Sequence, residues 1–330
     1  MRFFNMYNGT QVISVKGKKH ELPVIKFDNV VLVVAGKMIK IAQIHDEAWF
    51  DSRTLPDPLK IIDILRHSKN RPDIFTFCQR DFKTEPRYDF PSELTNIAAI
   101  PITGFDFWWT KQISAKTRNM VRKSQKKGVE LRLVNLDDTL IEGIVRINNE
   151  VRIRQGKLFW HYGKDSGYVK KAHSSYLERS DFVGAYYKEE LIGYIKIVYM
   201  GDIAGIMQII SMIKDRDKAP NNALLSKAVE TCASKGIKYL LYGGYVYGKK
   251  EHSSLLDFKK NNGFEKIEFP QYYVPLTFKG QLAIKLGLNK CWTNILPASL
   301  KYALTDLRFH YYVWRERNSK SVEKSERTEN

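Results

Sequence analysis

The sequence has few cysteines and no long hydrophobic run. Its three cysteines, Cys78, Cys232 and Cys291, are far apart and match no metal-ligand spacing. This odd, scattered set excludes a disulfide framework and favours a reducing compartment. No stretch approaches the roughly 18 apolar residues of a membrane span, and the first ten residues lack the apolar core of a signal peptide. These absences predict a cytoplasmic protein.

Acidic residues are scarce relative to basic ones. The 330 residues include 54 Lys and Arg against 36 Asp and Glu, a formal net charge of +18. This excess predicts an anionic partner, such as nucleic acid, a phosphorylated substrate or an acidic lipid surface. The alternative is a charge spread thinly over the surface for solubility. The hydrophobic fraction of 43% excludes a disordered chain, and the length suffices for about two domains.

Hydrophobic periodicity predicts the order of elements over residues 129–275 as β-α-α-β-β-β-α-β-α-β. Apolar side chains at Leu140, Ile144 and Ile147 indicate an amphipathic helix over residues 136–152. An antiparallel meander is expected over residues 182–212, followed by a helix that begins at Pro220. Residues 1–103 have the pattern of a smaller α/β unit.

Residues 239–264 have the pattern of a pocket. An apolar strand ends at Gly243 and Gly244, three tyrosines (Tyr242, Tyr245 and Tyr247) surround the break, and a short helix follows. A strand that ends at glycines before polar and aromatic groups often forms a pocket at the carboxyl edge of a sheet. The same pattern also occurs in ordinary α/β connections, so both interpretations stay open at this point.

A basic helix is predicted over residues 105–127. Arg118 and Arg122 lie on one stripe of this helix with Lys126, at a spacing of four residues. Arginines arranged in this way can bind phosphates, and both are candidate substrate-binding residues. The alternative is a solvated helix face.

A turn-rich loop over residues 152–167 concentrates hydrogen-bonding and aromatic side chains, which is typical of binding loops. Its candidate substrate-binding residues are Arg154, Gln155, Trp160 and Tyr162. Histidine is the side chain that titrates near neutral pH without any perturbation. His161 is therefore the candidate general base, the alternative being a loop histidine bonded to backbone.

The element order resembles that of the GNAT acyltransferases, and two segments are similar to FemAB-like members. TRNMVRKSQKKGVELR resembles the basic helix before the first strand of a GNAT lobe, and SLLDFKKNNGFEKIEFPQYYVPLT resembles the family's closing element. The resemblance covers residues 111–277. It implies an α/β (α+β) fold with a GNAT-like mixed, mostly antiparallel sheet flanked by helices. It also implies a smaller, degenerate GNAT-like lobe at the N-terminus.

The resemblance implies direct transfer of an acetyl or aminoacyl group from a CoA-type or tRNA donor. The acceptor would be an amine or hydroxyl of a sugar, peptide or cell-envelope precursor, as in polysaccharide biosynthesis. The lysine of a Phe-Lys dipeptide, here Phe258-Lys259, would meet the donor phosphate and the developing negative charge. One tyrosine among Tyr242, Tyr245 and Tyr247 would protonate the leaving group.

The donor loop departs from the family pattern. GNAT enzymes that use acetyl-CoA bind its pyrophosphate with a glycine-rich loop at a helix N-terminus, whereas residues 217–223 read DKAPNNA, without glycine. The helix N-terminus remains, and Asn221 and Asn222 are the candidate cofactor contacts there. Acyl-CoA and aminoacyl-tRNA both stay open as donors, and no metal is expected.

Four parts are predicted along the chain. Residues 1–103 form the N-terminal lobe, 104–278 the acyltransferase domain, 279–317 a basic amphipathic helical segment and 318–330 a disordered tail. The amphipathic segment either packs on its own domain or makes peripheral contact with the inner face of the membrane. The alternative function is a non-catalytic, degenerate GNAT fold that binds nucleic acid or an anionic membrane surface.

Overall fold

The structure, a computed structural model, describes residues 7–15, 18–68, 71–154, 156–247 and 253–288. The strands are β1 (Tyr7–Val15), β2 (Lys18–Phe27), β3 (Val30–Ala35), β4 (Ile41–Ile44), β5 (Ile74–Cys78), β6 (Ser92–Pro101), β7 (Glu130–Val134), β8 (Ile153–Arg154), β9 (Lys157–Leu158), β10 (Ser180–Tyr187), β11 (Glu190–Met200), β12 (Ile203–Ser211), β13 (Tyr239–Leu241) and β14 (Glu265–Pro275). The α-helices are α1 (Pro58–His67), α2 (Phe105–Phe107), α3 (Ala115–Lys126), α4 (Asp138–Asn149), α5 (Ser166–His173), α6 (Pro220–Ser234), α7 (Ser254–Asn261) and α8 (Phe278–Lys285).

Twelve of the described strands form one sheet in the order β1-β2-β3-β4-β5-β14-β6-β13-β12-β11-β10-β7. Neighbouring strands are antiparallel, except that β4 and β5 are parallel and β12 and β13 are parallel. β8 and β9 pair separately as a short ribbon. The mixed, mostly antiparallel sheet that the sequence predicts is confirmed.

The same arrangement of strands occurs twice along this sheet. In the N-terminal part, the meander β2-β3-β4 leads through α1 to the parallel strand β5; in the C-terminal part, the meander β10-β11-β12 leads through α6 to the parallel strand β13. β6 then pairs with β13, whereas β14 pairs with β5. β6 of the N-terminal part therefore lies beside a strand of the C-terminal part, and β14 of the C-terminal part lies beside a strand of the N-terminal part. This repetition matches the smaller GNAT-like lobe that the resemblance implies.

Helices cover both faces of the sheet around β11. Leu224 and Val229 of α6 belong to the hydrophobic cluster on one face, and Ile144 and Ile147 of α4 belong to the cluster on the other. β11 is consequently buried along nearly its whole length, which explains its almost continuous apolar sequence. A third cluster packs α1 against β2 to β5 and β14.

The single helix predicted over residues 105–127 is wrong. A π-helical turn at Trp108–Gln112 separates α2 from α3. The guanidinium group of Arg118 donates to the carbonyl oxygens of Trp109 (3.1 Å) and Ile113 (2.8 Å). These bonds satisfy backbone oxygens at the break, where regular helical bonding is interrupted.

Other boundaries depend on the tertiary structure. α4 is shorter at both ends than the helix predicted over residues 136–152. β6 begins at Ser92, since residues 92–96 pair with β14. β2 was not predicted, and its register with β1 and β3 is set by contacts between strands that no local pattern shows.

Gly280 allows α8 to pack closely against the chain entering β5. A Cβ atom at this position would overlap the carbonyl oxygen of Asp73. Thr277 fixes the same approach, because its hydroxyl donates to the Asp73 carboxylate over 2.9 Å. We expect Gly280→Ala to lower the free energy of unfolding by at least about 2 kcal/mol. This reverses the gain of about 1 kcal/mol that alanine usually has over glycine in a helix.

Gly167→Ala provides the matched control for this prediction. Gly167 lies in the first turn of α5, and a Cβ atom there would meet Asp165 Oδ1 at an ordinary 3.5 Å. We expect its stability to be unchanged or raised. Chemical denaturation of both variants measures the difference, and equal stabilities would contradict the close packing of α8.

Candidate active site

β12 and β13 run side by side at their start and then part. Residues 203–205 pair with residues 239–241. Beyond this point β12 continues along β11, whereas the chain after β13 follows β6, with Tyr242 N donating to Ala98 O over 2.8 Å and Ala98 N to Gly243 O over 2.9 Å. Because the two strands are parallel, the opening lies at the carboxyl ends of both, a common location for ligand sites.

A cavity of about 390 Å³ lies beside the parted half of β12, against α4 and α5. Its polar and aromatic lining residues are Asn148, Trp160, His161, Lys164, Tyr168 and Gln208. Trp160 and His161 are predicted site residues, and the other four were not predicted. Tyr162, also predicted, is exposed on the same loop.

His161 is well placed to act as a base in this cavity. Gln208 Nε2 donates to His161 Nε2 over 3.0 Å, and the ring centres of His161 and Trp160 are 3.6 Å apart. Burial, reinforced by the neighbouring His173, lowers the pKa of His161 to about 4. The imidazole is therefore neutral at pH 7, which is the protonation state that a general base requires.

A second histidine, His173, orders the cavity wall. Its Nδ1–H donates to the carbonyl oxygen of Val169, and the hydroxyl of Tyr194 donates to its Nε2, both over 3.0 Å. Burial lowers the pKa of His173. Since both of its ring nitrogens have protein partners, His173 holds α5 against the sheet.

The arginines proposed as phosphate ligands have different surroundings. Arg154 donates to the carbonyl oxygens of Ser211 and Ile147, both over 3.0 Å, and Arg118 is bonded to the π-helical turn. Arg122 is exposed on α3. Of these three guanidinium groups, that of Arg122 is therefore the most accessible to a phosphate.

Lys259 is fully buried in α7. Its ammonium group donates to the carbonyl oxygen of Gly244 and lies 5.1 Å from the ring centre of Tyr242 and 5.0 Å from that of Tyr247. Burial lowers the pKa of Lys259 to about 8, and the aromatic faces attract the charged form. The structure thus brings the predicted lysine and two of the predicted tyrosines into contact. Phe258, beside Lys259, packs against the main core cluster.

The three candidate tyrosines differ in their environments. Burial raises the pKa of Tyr242 to about 12 and also raises the pKa of Tyr245. Tyr247 is exposed, and its hydroxyl lies against Gly243, where φ is +53° and a Cβ atom would collide with it. Tyr247 therefore combines solvent access with contact to Lys259.

The N-terminus of α6 lacks a side-chain cap. Asn222 Nδ2 donates to Asn262 Oδ1 over 3.3 Å, and Asn221 Oδ1 is buried without a hydrogen-bond partner in the described chain. Asp215 and Asp217 precede the helix, each bonded to a lysine. Because Lys218 and Lys127 balance these carboxylates, the loop carries no net negative charge. Pro220 at the start of α6 removes one backbone N–H that could bind an anion, and residues 217–223 contain no glycine, so this helix end differs from a glycine-rich CoA pyrophosphate site.

The predicted amphipathic segment is described as far as residue 288. Phe278 and Leu282 are exposed on one side of α8, and Leu286, which follows the helix at the same spacing of four residues, is also exposed. The remainder of that segment, the predicted disordered tail and Gln155 lie outside the described residues. Within the described ranges, no helix is both long enough and apolar enough to cross a membrane.

Asn148, Lys164, Tyr168 and Gln208 were missed because their roles arise from tertiary contacts. Asn148 is an ordinary polar position in an amphipathic helix, and Gln208 interrupts an apolar strand. A glutamine within the predicted meander at residues 182–212 was the available signal, since buried polar groups require partners.

No family model matches this sequence, and no curated protein matches it. Solved structures do match. FemX has a TM-score of 0.56 at 11% identity, with 84% of this chain and 90% of FemX covered. The C-terminal domain of a protein assigned as a lysylphosphatidylglycerol synthetase, from Agrobacterium fabrum, has a TM-score of 0.52 at 12% identity, covering 84% and 87%. L-PGS from Bacillus licheniformis has a TM-score of 0.51 at 14% identity, covering 76% and 82%.

These matches extend over both halves of the sheet, because they cover most of each chain. At such low identity they establish the fold, and the function must be argued from the site. The chain therefore shares the fold of FemX and of these two synthetase structures, which is the fold that its sequence resemblance implies.

Proposed function

We propose that this protein is an acyltransferase that moves an acyl or aminoacyl group directly from its donor to an amine or hydroxyl of the acceptor. The observation that carries this proposal is a neutral histidine, His161, in a cavity at the parting of β12 and β13. The chain after β13 carries a tyrosine in contact with a buried lysine. Acyl transfer uses a base for the acceptor and an acid for the leaving group, and we assign these roles to His161 and Tyr247.

The acceptor occupies the cavity in this proposal. Its hydroxyl or amine replaces the Gln208 amide as the donor to His161 Nε2. His161 removes the proton as the acceptor oxygen or nitrogen attacks the acyl carbon. The bond from the acyl carbon to the donor then breaks, and the departing donor oxygen or sulfur takes a proton from Tyr247. Holding both substrates together lowers the entropic cost of the step.

Lys259 contributes to this step through its contacts with the loop of residues 242–247. Because its side chain is fully buried, it is a positioning residue that acts through Gly244 and Tyr247. Its ammonium group fixes the carbonyl of Gly244 and lies 5.0 Å from the Tyr247 ring centre. A positive charge at this distance also favours the negative charge that develops as the donor leaves.

We propose aminoacyl-tRNA as the donor in preference to acyl-CoA. The start of α6 lacks a glycine-rich loop, and Pro220 removes one backbone N–H that a pyrophosphate would use. α3 packs against α6 and carries exposed cations that form no ion pair with a described residue, namely Lys116, Arg122, Lys123 and Lys126. Such a surface suits the phosphates of a nucleic acid.

A donor comparison tests the proposal. The full chain is incubated with a sugar acceptor that offers hydroxyl groups and either labelled aminoacyl-tRNA or labelled acyl-CoA. We expect label in the acceptor from aminoacyl-tRNA. Transfer from acyl-CoA alone would overturn the donor assignment, and failure of both donors with a panel of sugar, peptide and lipid-linked acceptors would overturn the acyltransferase proposal.

A non-catalytic nucleic-acid binder is the second candidate, favoured by the exposed cations of α3 and the net charge of +18. We expect tRNA affinity to fall with salt in either case. The triple variant Arg122→Ala, Lys123→Ala and Lys126→Ala should reduce the slope of log affinity against log salt by about 2 to 3.

The matched control replaces three exposed cations elsewhere, Lys60, Lys83 and Arg146, with alanine. Its net charge equals that of the triple variant, so an equal loss of slope would contradict a tRNA site on α3. If the protein binds tRNA in a salt-dependent way but transfers no acyl group from any donor, the result would favour the non-catalytic function over the acyltransferase.

A further inference from the structure

The cavity beside β12 contains a buried polar group without a partner. Asn148 is 1% exposed and lines the cavity. Its Oδ1 accepts no hydrogen bond from the described chain. Buried amide oxygens are normally paired, and leaving one unpaired is unfavourable. A ligand that donates a hydrogen bond at this point would remove that cost.

A second amide shares the cavity with Asn148. Gln208 lies on β12, donates to His161 through Nε2 and also contacts the side chain of His173. Because a carbonyl oxygen has two lone pairs, Gln208 Oε1 can still accept a hydrogen bond from a ligand. An amide group both donates and accepts. Two amides in one cavity therefore suit a ligand with several neutral hydrogen-bonding groups, such as hydroxyl or amide groups.

The remaining lining residues favour a ring over an extended, charged chain. Trp160 is 49% exposed, so part of its ring is available for packing, whereas the Lys164 ammonium group lies over the ring of Tyr168 at 4.8 Å. The described lining contains no carboxylate, and the cavity therefore offers a terminal ammonium group no ionic partner. A peptide amine is disfavoured on this ground.

We propose that this cavity is a sugar-binding site. The C–H face of one hexose ring packs on Trp160, and its hydroxyl or acetamido groups bond the amides of Asn148 and Gln208. The volume of about 390 Å³ is sufficient for one such ring with its substituents. Lys164 then meets a phosphate or carboxylate attached to the ring. The role of this sugar as the acyl acceptor rests on the proposed function, whereas its binding does not.

Saturation-transfer NMR with N-acetylglucosamine as the probe tests this site in the full chain. We expect saturation of the ring protons with the wild type, and at least tenfold weaker binding with Asn148→Leu, which keeps the side-chain size but removes the amide. Asn119→Leu makes the same change at an exposed position on α3 and should bind as the wild type does. Gln208→Met serves as the second variant, and carries the test if thermal unfolding shows that Asn148→Leu is not folded.

Equal sugar affinity in the wild type, Asn148→Leu and Gln208→Met would overturn the proposal. Binding of a dialanine peptide at this cavity, with no binding of the sugar, would also overturn it. Sugar binding that depends on Asn148, in a protein that transfers no acyl group from any donor, would support this site and contradict the proposed function. The two proposals can therefore fail separately.

Discussion

Replacing His161 with phenylalanine is expected to lower kcat/KM for acyl transfer by about 10²- to 10⁴-fold, the usual contribution of a general base. Phenylalanine keeps a ring against Trp160, where the ring centres are now 3.6 Å apart, but it has no nitrogen to accept a proton. The loss should therefore appear in the transfer step with little change in the fold. Initial rates at several acceptor concentrations measure it.

The pH dependence of the wild type gives an independent signature. Burial lowers the pKa of His161 from 6.5 to about 4, so the base stays deprotonated well below neutral pH. Transfer should persist as the pH falls past 6.5 and be lost as it approaches 4.

The same pKa shift affects stability. Between pH 4 and pH 6.5 the unfolded chain binds more protons than the folded chain, so this histidine makes the free energy of unfolding fall as the pH falls. In His161→Phe, the free energy of unfolding should fall less between pH 6.5 and pH 4 than it does in the wild type.

His67→Phe is the control for these measurements. His67 is an exposed histidine on α1, whose Nδ1 lies 2.8 Å from the carbonyl oxygen of Asp63. Its substitution should leave transfer unchanged. A His161→Phe protein that transfers as fast as His67→Phe would exclude His161 as the base.

Lys259→Met is expected to lower transfer by about 10²-fold, the scale seen when one preorganised electrostatic group is removed. Methionine fills much of the space of the lysine side chain and removes its charge. The carbonyl of Gly244 then loses its donor, and the rings of Tyr242 and Tyr247 lose the cation between them. The side chain of Tyr247, which we assign as the acid, should consequently be less well ordered.

Stability should respond differently from activity in this variant. Losing the bond to Gly244 destabilises the protein by about 1 kcal/mol, but removing a buried charge offsets this loss. We expect the free energy of unfolding at pH 7 to change by less than about 1 kcal/mol.

The pH dependence of stability should also differ. The pKa of Lys259 is about 8 in the folded chain, against an ordinary 10.5. The free energy of unfolding of the wild type should therefore increase as the pH rises from 8 to 10.5. Lys259→Met should lack this increase.

Lys260→Met is the matched control, because Lys260 is the exposed neighbour of Lys259 on α7. It should leave both transfer and the pH dependence of stability near those of the wild type. Equal activity of the two variants would exclude a role for the buried lysine.

The contact of Lys259 with Tyr242 and Tyr247 could be anticipated because the residues belong to one short segment. A strand, a glycine turn and a helix within this stretch leave few ways to arrange them. The cavity could not be anticipated in the same way. His161 and Gln208 are 47 positions apart, and their contact depends on how a loop folds over β12.

Arginine spacing showed which residues share a helix face but not what that face contacts. Arg118 and Arg122 are four residues apart, yet Arg118 is bonded to backbone carbonyls whereas Arg122 is exposed. The π-helical turn that recruits Arg118 has no distinctive sequence signal. The exchange of β6 and β14 between the two halves of the sheet is likewise a long-range property.

A rapid-quench experiment addresses direct transfer at the parting of β12 and β13. Excess wild-type protein is mixed with labelled aminoacyl-tRNA and a sugar acceptor that offers hydroxyl groups, and the label on the acceptor and on the intact protein is followed over time. We expect label in the acceptor during a single turnover, none covalently attached to the protein at any time, and no acceptor label above background with His161→Phe. Transient labelling of the protein, or equal product from wild type and His161→Phe, would contradict direct transfer with His161 as the base.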